Sequence, residues 1–263
     1  MGPVMTKSEF LRVAIDAARA GERVIHRYYR KNVEVQVKDD RTPVTIADVE
    51  TEQAIKQVIT RHFPEHGIYG EETGVDKPDA EFVWLIDPID GTKSFVRRYP
   101  FFSTQIALMR NDEVLLGVSN APEFGEMAWA ERGQGAWLNG ERVSVSDIEN
   151  LDEVMLSIGN VVSLAGTSRW WGLGELVRRV NRTRGYGDFY HYHLLASGRL
   201  EVVLESDVNI LDIAAASCIV TEAGGVFTDL DGGPVGMQTG SVLAACNAAL
   251  YDTVRAVLEA DRQ

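Results

Sequence analysis

Cysteine is scarce in this chain of 263 residues: Cys218 and Cys246 stand alone, each in apolar surroundings and without C-x-x-C spacing. A zinc ribbon and a thiol redox motif both need clustered thiolates, so these two residues read as small core side chains. Long apolar runs are also missing, none approaching the roughly 18 residues that a membrane-spanning helix needs. Residues 1–9 carry no apolar core of signal-peptide length, and a cytoplasmic protein is expected. Positive charge is in deficit, with 26 Lys and Arg against 39 Asp and Glu and a formal net charge of −13. Nucleic acids and anionic membranes are bound by clustered Lys and Arg that neutralise phosphates, so a small substrate is favoured over a polyanion or a membrane. An acidic protein can still hold a phosphate when a cation lies between them. Repeats and low-complexity tracts are absent. With 45% hydrophobic and 25% charged residues the composition is globular, and the length admits one large or two modest domains.

Against that background one segment carries chemistry. Leu85-Ile86-Asp87-Pro88-Ile89-Asp90-Gly91-Thr92 places two carboxylates three apart at the end of the apolar run Phe82-Val83-Trp84-Leu85-Ile86. The run is β-branched and aromatic and is predicted to be a buried strand stopped by Pro88, ending at Asp87. Gly91 allows close approach of backbone amides. Carboxylate oxygens with a neighbouring carbonyl, that of Ile89, suit Mg²⁺ or Mn²⁺ and no soft metal. The same letters also spell an ordinary Asx-type turn without a ligand.

The rest of the chain supplies a frame. Thr6-Lys7-Ser8-Glu9 reads as a capping box before an amphipathic helix marked by Phe10, Leu11, Ala14, Ala18, Ile25 and Tyr28. A strand is predicted at 33–37, a turn at 38–41, and a second helix opened by Thr45 with Asp48 in its first turn and Pro64 at its end. A short strand at 67–70 delivers Glu71 and Glu72. Strands at 105–109, 114–119, 127–130 and 136–138, the last followed by the tight-turn pair Asn139-Gly140, predict an antiparallel sheet. After the polar stretch 144–152, strands and helices alternate: strands at 154–158, 202–204 and 243–245, helices at 173–180, 190–196, 213–223 and 248–258. The expected organisation is mixed, α+β followed by α/β, with an N-terminal domain over 1–147 holding most acidic candidates and a C-terminal domain over 148–263.

Four further acids stand at element ends, where sites form: Asp48, Glu71, Glu72 and Asp212. Capping alone would explain an acid in a helix's first turn. Taken in order, Thr42-Pro43-Val44-Thr45-Ile46-Ala47-Asp48, Gly70-Glu71-Glu72, Asp87 to Thr92, and Asp212-Ile213-Ala214-Ala215 ahead of Glu222-Ala223-Gly224-Gly225 resemble the inositol monophosphatase family of magnesium-dependent, lithium-sensitive phosphatases, nearly end to end. One departure is Leu211, where that family usually has Trp.

The resemblance implies a layered αβαβα sandwich and a homodimer. It implies that Glu71, Asp87 and the Ile89 carbonyl hold one Mg²⁺, that Asp87, Asp90 and Asp212 hold a second, and that Glu71 faces a loosely held third, with Mn²⁺ as a substitute. Two carboxylates ~4 Å apart repel by about 4 kcal/mol at an effective dielectric of 20, so such a cluster needs cations to stay ionised. Thr92, bonded to Asp48, is expected to orient the attacking water together with Glu71; the Gly91 and Thr92 amides to receive phosphate oxygens; and Lys38 to neutralise part of the site, unless it is a solvated turn residue.

Arg184-Gly185-Tyr186-Gly187-Asp188-Phe189-Tyr190 is similar to the histidinol-phosphate phosphatase branch, an enzyme of histidine biosynthesis, more than to the inositol branch. There Asp188 could pair with the ammonium or imidazole of histidinol; Glu205 matches a position that contacts the substrate's polar end, but both branches tolerate an acid there and it does not discriminate. Inositol-1-phosphate is the alternative substrate. A non-catalytic protein- or RNA-binding role on the same fold is the rival from another class, which an intact ligand set opposes. His191 and His193 form an H-x-H pair without a third zinc ligand, read as surface or core-edge residues. His26, His62 and His66 read as helix-surface or loop residues, and Trp170-Trp171 as packed, or else as part of a lid.

Overall fold

The computed structural model describes residues 7–31, 35–37 and 43–260. Among these, seven α-helices and fifteen strands follow one another in a mixed order. The first half comprises α1 (Glu9–Tyr28), β1 (Val35–Val37), β2 (Pro43–Thr45), α2 (Ile46–His62), β3 (Gly67–Gly70), β4 (Gly74–Asp76), β5 (Phe82–Asp90), α3 (Thr92–Val96), β6 (Ser103–Arg110), β7 (Glu113–Ala121), β8 (Glu126–Glu131), β9 (Ala136–Leu138) and β10 (Glu141–Val143). The second comprises β11 (Met155–Ile158), α4 (Arg169–Arg179), β12 (Arg182–Arg184), α5 (Tyr190–Ala196), β13 (Val202–Ser206), α6 (Ile210–Glu222), β14 (Val226–Thr228), β15 (Ser241–Ala245) and α7 (Ala248–Glu259).

Two sheets carry the architecture, with β1 and β2 forming a separate antiparallel pair. An eight-stranded sheet runs β10-β9-β8-β7-β6-β5-β3-β4 and is antiparallel throughout except for the parallel pair β3/β5. A five-stranded sheet runs β12-β11-β13-β15-β14, with parallel pairs β11/β12 and β11/β13. The strands expected to form an antiparallel sheet, β6 to β9, do so; β3 and β5 add a parallel pair to it because the edge strand β4 and residues 77–81 carry the chain back past β3. Helices α1 and α2 cover one face of the large sheet through Leu11, Ala14, Ile55, Ile59 and Trp84. They pack closely where Gly21 meets Thr51 and Ile55. The layers are αβαβα, and the middle layer contains α6.

Helix α6 is shared. Ile210, Leu211, Ala214 and Ala215 lie against Leu85, Ala107 and Met109 of the large sheet, while Ile213, Ala216, Ile219 and Val220 join the core of the small one. A helix apolar all round is buried on all sides, and this one is. Gly117 on β7 makes the close approach possible: a Cβ there would stand 2.4 Å from the Ala215 carbonyl oxygen. Leu211 is thus a packing residue between helix and sheet.

Several expectations shift. Ser8 caps α1, its Oγ accepting from the Leu11 amide at 3.1 Å, whereas Thr6 lies outside the described residues. The predicted strand stop at Pro88 is overturned. Strand β5 continues to Asp90, pairing Asp87 with Gln105 and then Asp90 with Ser103, so three steps on β5 face two on β6. Proline is tolerated at such a bulge because its missing N–H falls where the ladder is already broken, and Thr104 Oγ1 donates to the Pro88 carbonyl at 2.9 Å. Trp170 and Trp171 are 42% and 55% exposed and do not pack inward. His66 is not a bare loop residue: it accepts the Trp84 indole N–H at 3.0 Å and stacks on Phe63 and Phe82. The Asn139-Gly140 turn has both residues at positive φ, as a two-residue hairpin requires.

Candidate active site

The bulge does more than accommodate proline. On a regular strand, residues three apart face opposite sides; one extra residue reverses that parity and turns Asp87 and Asp90 to the same side. Asp212 arrives from α6, and oxygens of the three carboxylates all lie within 4.8 Å of one another. This is the group of potential metal ligands found among the described residues.

Each acid is held by local chemistry. Asp212 is the third residue of α6 and closes a capping box, accepting from the Asn209 amide and from Asn209 Nδ2, both at 2.9 Å, while Asn209 Oδ1 accepts from Leu211. Asp48 does the same at the start of α2: the Thr45 amide and hydroxyl donate to its Oδ2 at 2.8 and 2.7 Å. Its other oxygen, Oδ1, lies 3.2 Å from Thr92 Oγ1, which is also 3.1 Å from the Ile89 carbonyl. Asp87 Oδ1 accepts from the Ile89 amide at 3.0 Å. Gly91 has φ +89°, and a Cβ there would meet the Phe101 carbonyl at 2.6 Å, so this turn into α3 requires glycine.

Glu71 stands beside the triad, hydrogen-bonded to Asp87 and close enough to Asp48 and Asp212 to raise the affinity of both for protons. Sequence reading missed what holds its loop. Glu52, fully buried on α2, accepts from the Glu72 and Thr73 amides at 2.7 and 3.2 Å and from the Thr73 hydroxyl. A side chain at Gly70 would collide with this carboxylate, its Cβ 2.3 Å from Glu52 Oε1. The signal in the sequence was Gly70 itself, a glycine immediately before two acids.

Burial pushes the Asp87 carboxyl far above the ordinary range, reinforced by the charges of Glu71, Asp90 and Asp212. Asp90 is raised likewise, by burial and then by Asp188, Asp212 and Glu205. Asp212 is pushed up to about 7 by burial, against the lowering effect of the Asn209 amide. Asp188 rises to about 6 through burial and the Glu205 charge, with His191 and Lys93 opposing. A cation set among them would remove this repulsion and be held by oxygens alone, the chemistry of a hard divalent ion. The donor set fits one.

Asp188 and Glu205 thus lie near enough to Asp90 for their charges to raise its affinity for protons. Glu205 is fixed by Tyr192 Oη at 3.0 Å and the Asn160 amide at 3.2 Å, with His191 Nε2 3.2 Å away. His191 and His193 are not surface residues: both are buried, at 0% and 3% exposure, and they serve different acids, Glu205 and Glu126. No zinc group forms from them among the described residues. Lys38 lies outside the described residues. Burial raises the Cys218 and Cys246 thiols to about 12 and about 11, which keeps them unreactive.

Two sheets sharing a helix, with acids from both brought to one buried point beside a Thr–Asp pair, define a cation-dependent phosphatase. The chain belongs to the inositol monophosphatase family, whose model matches residues 6–262. It is 37% identical to a histidinol-phosphatase of Streptomyces coelicolor over 249 residues, covering 91% of this chain and 92% of that one. It is 37% identical to a histidinol-phosphatase of Mycobacterium tuberculosis, covering 93% and 95%. The crystal structure of the extragenic suppressor protein suhB from Bartonella henselae superposes with a TM-score of 0.89 at 28% identity, covering 96% and 99%. No helix among the described residues is long and apolar enough to cross a membrane.

Proposed function

We propose that this chain hydrolyses phosphate monoesters with the help of divalent cations and that its preferred ester is histidinol phosphate. The observation that carries this reading is the placement of Asp188 and Glu205 next to Asp90: the ester end of a substrate at the triad would leave its other end against two further carboxylates. Histidinol offers an ammonium and an imidazole there, and inositol offers only hydroxyls. The two histidinol-phosphatases similar over nearly the whole chain support the choice.

Asp87, Glu71 and the Ile89 carbonyl would hold one Mg²⁺, and Asp87, Asp90 and Asp212 a second; a third ion near Glu71 and replacement by Mn²⁺ belong to the same proposal. Bound there, the ions supply charge neutralisation for the ester, acidify a water and stabilise the departing alkoxide. The protein's own groups do the rest. Asp48, held by its capping box, accepts the Thr92 proton, so Thr92 Oγ1 turns a lone pair outward to accept from the attacking water and orient it. The amides of Gly91 and Thr92 would receive phosphate oxygens at the start of α3. A homodimer and a cytoplasmic location complete the proposal.

Purified protein with Mg²⁺ is expected to turn over histidinol phosphate at least tenfold more efficiently than inositol-1-phosphate, measured as kcat/KM by phosphate release. Asp188→Asn should erase that preference by depressing only the cationic substrate. A hundredfold preference for inositol phosphate in the unaltered protein would overturn the substrate choice.

A further inference from the structure

A line of buried side chains leads from Asp90 along the large sheet, through His193 of α5, to Glu126 on β8. Ser103 Oγ lies 3.4 Å from Asp90 Oδ2. Gln105 Nε2 donates to Ser103 Oγ at 2.8 Å and to Ser119 Oγ at 3.1 Å. Ser119 Oγ is 2.8 Å from His193 Nε2, and His193 Nδ1 is 3.1 Å from Glu126 Oε2. Ser103, Gln105, Ser119 and His193 are each at most 3% exposed, so water does not arbitrate between them.

The protons in this chain have one consistent arrangement. Glu126 can only accept, so His193 carries its proton on Nδ1 and its Nε2 is bare. Ser119 donates to that Nε2 and accepts from Gln105, whose second N–H goes to Ser103. Ser103, already an acceptor, gives its proton to Asp90. In this orientation both N–H groups of Gln105 have serine acceptors, while its Oε1 is buried without a partner. Burial lowers the His193 pKa, against the pull of Glu126, in keeping with a neutral ring. With the proton on Nε2 instead, the Ser119 hydroxyl proton would be stranded or Gln105 would turn over, aiming its carbonyl at Ser103 and drawing the Ser103 proton away from Asp90.

We propose that Glu126 and His193 are positioning residues that set the direction of this hydrogen-bond chain and thereby keep the Ser103 hydroxyl donating to Asp90, which holds that carboxylate aimed as a ligand for a divalent cation. The inference rests on the reading of Asp90 as a metal ligand. It assigns a role in cation affinity to two residues that touch neither substrate nor ion.

Two measurements test it. ¹⁵N NMR of the unaltered protein should show His193 protonated on Nδ1. Mn²⁺ binding, followed by EPR in about 0.5 M KCl so that charge at this separation is screened, should separate two substitutions at Glu126, whose side chain is 16% exposed. Glu126→Gln can still accept from Nδ1–H and should bind Mn²⁺ within twofold of the unaltered protein. Glu126→Lys can only donate, forces the proton to Nε2, and should bind about tenfold more weakly. If Glu126→Lys does not fold, Ser119→Ala breaks the chain at its middle and should weaken binding several-fold. An Nε2-protonated His193, or a Lys variant (or its Ser119→Ala replacement) that binds as well as Glu126→Gln, overturns the inference while leaving the phosphatase reading intact. An unaltered protein that takes up no Mn²⁺ sinks that reading, and this one with it.

Discussion

Asp48 and Asp212 are held by the same device, a carboxylate at the third position of a helix that reaches back to its own cap residue. Their backbone role and the chemical role proposed for them are therefore superimposed, and the two can be separated by substitution. Asp212→Asn retains an oxygen that can accept from the Asn209 amide while losing the charge a cation needs. Asp212→Ala loses both, and the missing cap costs roughly 1 kcal/mol. Both variants should lose at least a hundredfold in turnover, but only the alanine variant should unfold earlier in urea. Equal stability of the two would mean that the cap contributes nothing here. The superposition also explains why these acids were ambiguous as letters: capping alone justifies an acid at each position, and nothing in a linear sequence says that two helix starts meet.

At the scale of elements, the positions of strands and helices were largely legible because periodicity and turn chemistry are local. Residues 67–70 and 190–196 read as they stand in the structure, as β3 and α5. Pairing was less legible. The parallel β3/β5 pair depends on how β4 and the loop after it return the chain, and the bulge at Pro88 depends on a register with β6 that the local letters Asp-Pro do not contain. The His193 chain was invisible for the same reason, since its members come from β6, β7, β8 and α5. Gly117 belongs to this scale as well. In Gly117→Ala the new methyl group would press on the Ala215 backbone, and overpacking of that kind costs about 1–3 kcal/mol. Because α6 carries Asp212, the same variant should weaken Mg²⁺ activation several-fold; a loss of stability in urea with unchanged Mg²⁺ dependence would show that the helix shifts without moving its acid.

For the whole molecule, the cluster ties folding to pH and to cations. Asp212 and Asp188 have folded-state pKa values of about 7 and about 6 against an ordinary 3.8, so the folded protein keeps protons that the unfolded chain has released. Stability of the cation-free protein is present below about pH 4 as far as these groups are concerned and is lost as pH rises through 6 to 7. In EDTA the thermal midpoint should fall by on the order of several degrees between pH 5 and pH 7.5, and Mg²⁺ should raise it more at pH 7.5 than at pH 5. A midpoint flat across that range, with no response to Mg²⁺, would mean that the acids are not coupled as their spacing implies.

Since α6 gives one face to each sheet, the polar stretch 144–152 is a poor place to cut or splice. A fragment ending there would leave the large sheet with Leu85, Ala107 and Met109 bare to water, and a partner gene beginning there would carry an orphaned acid on a helix with half its cover gone. On the substrate reading proposed above, recombination that shuffles specificity among relatives would have to move the stretch bearing Asp188 while leaving the shared helix with the sheet it already fits.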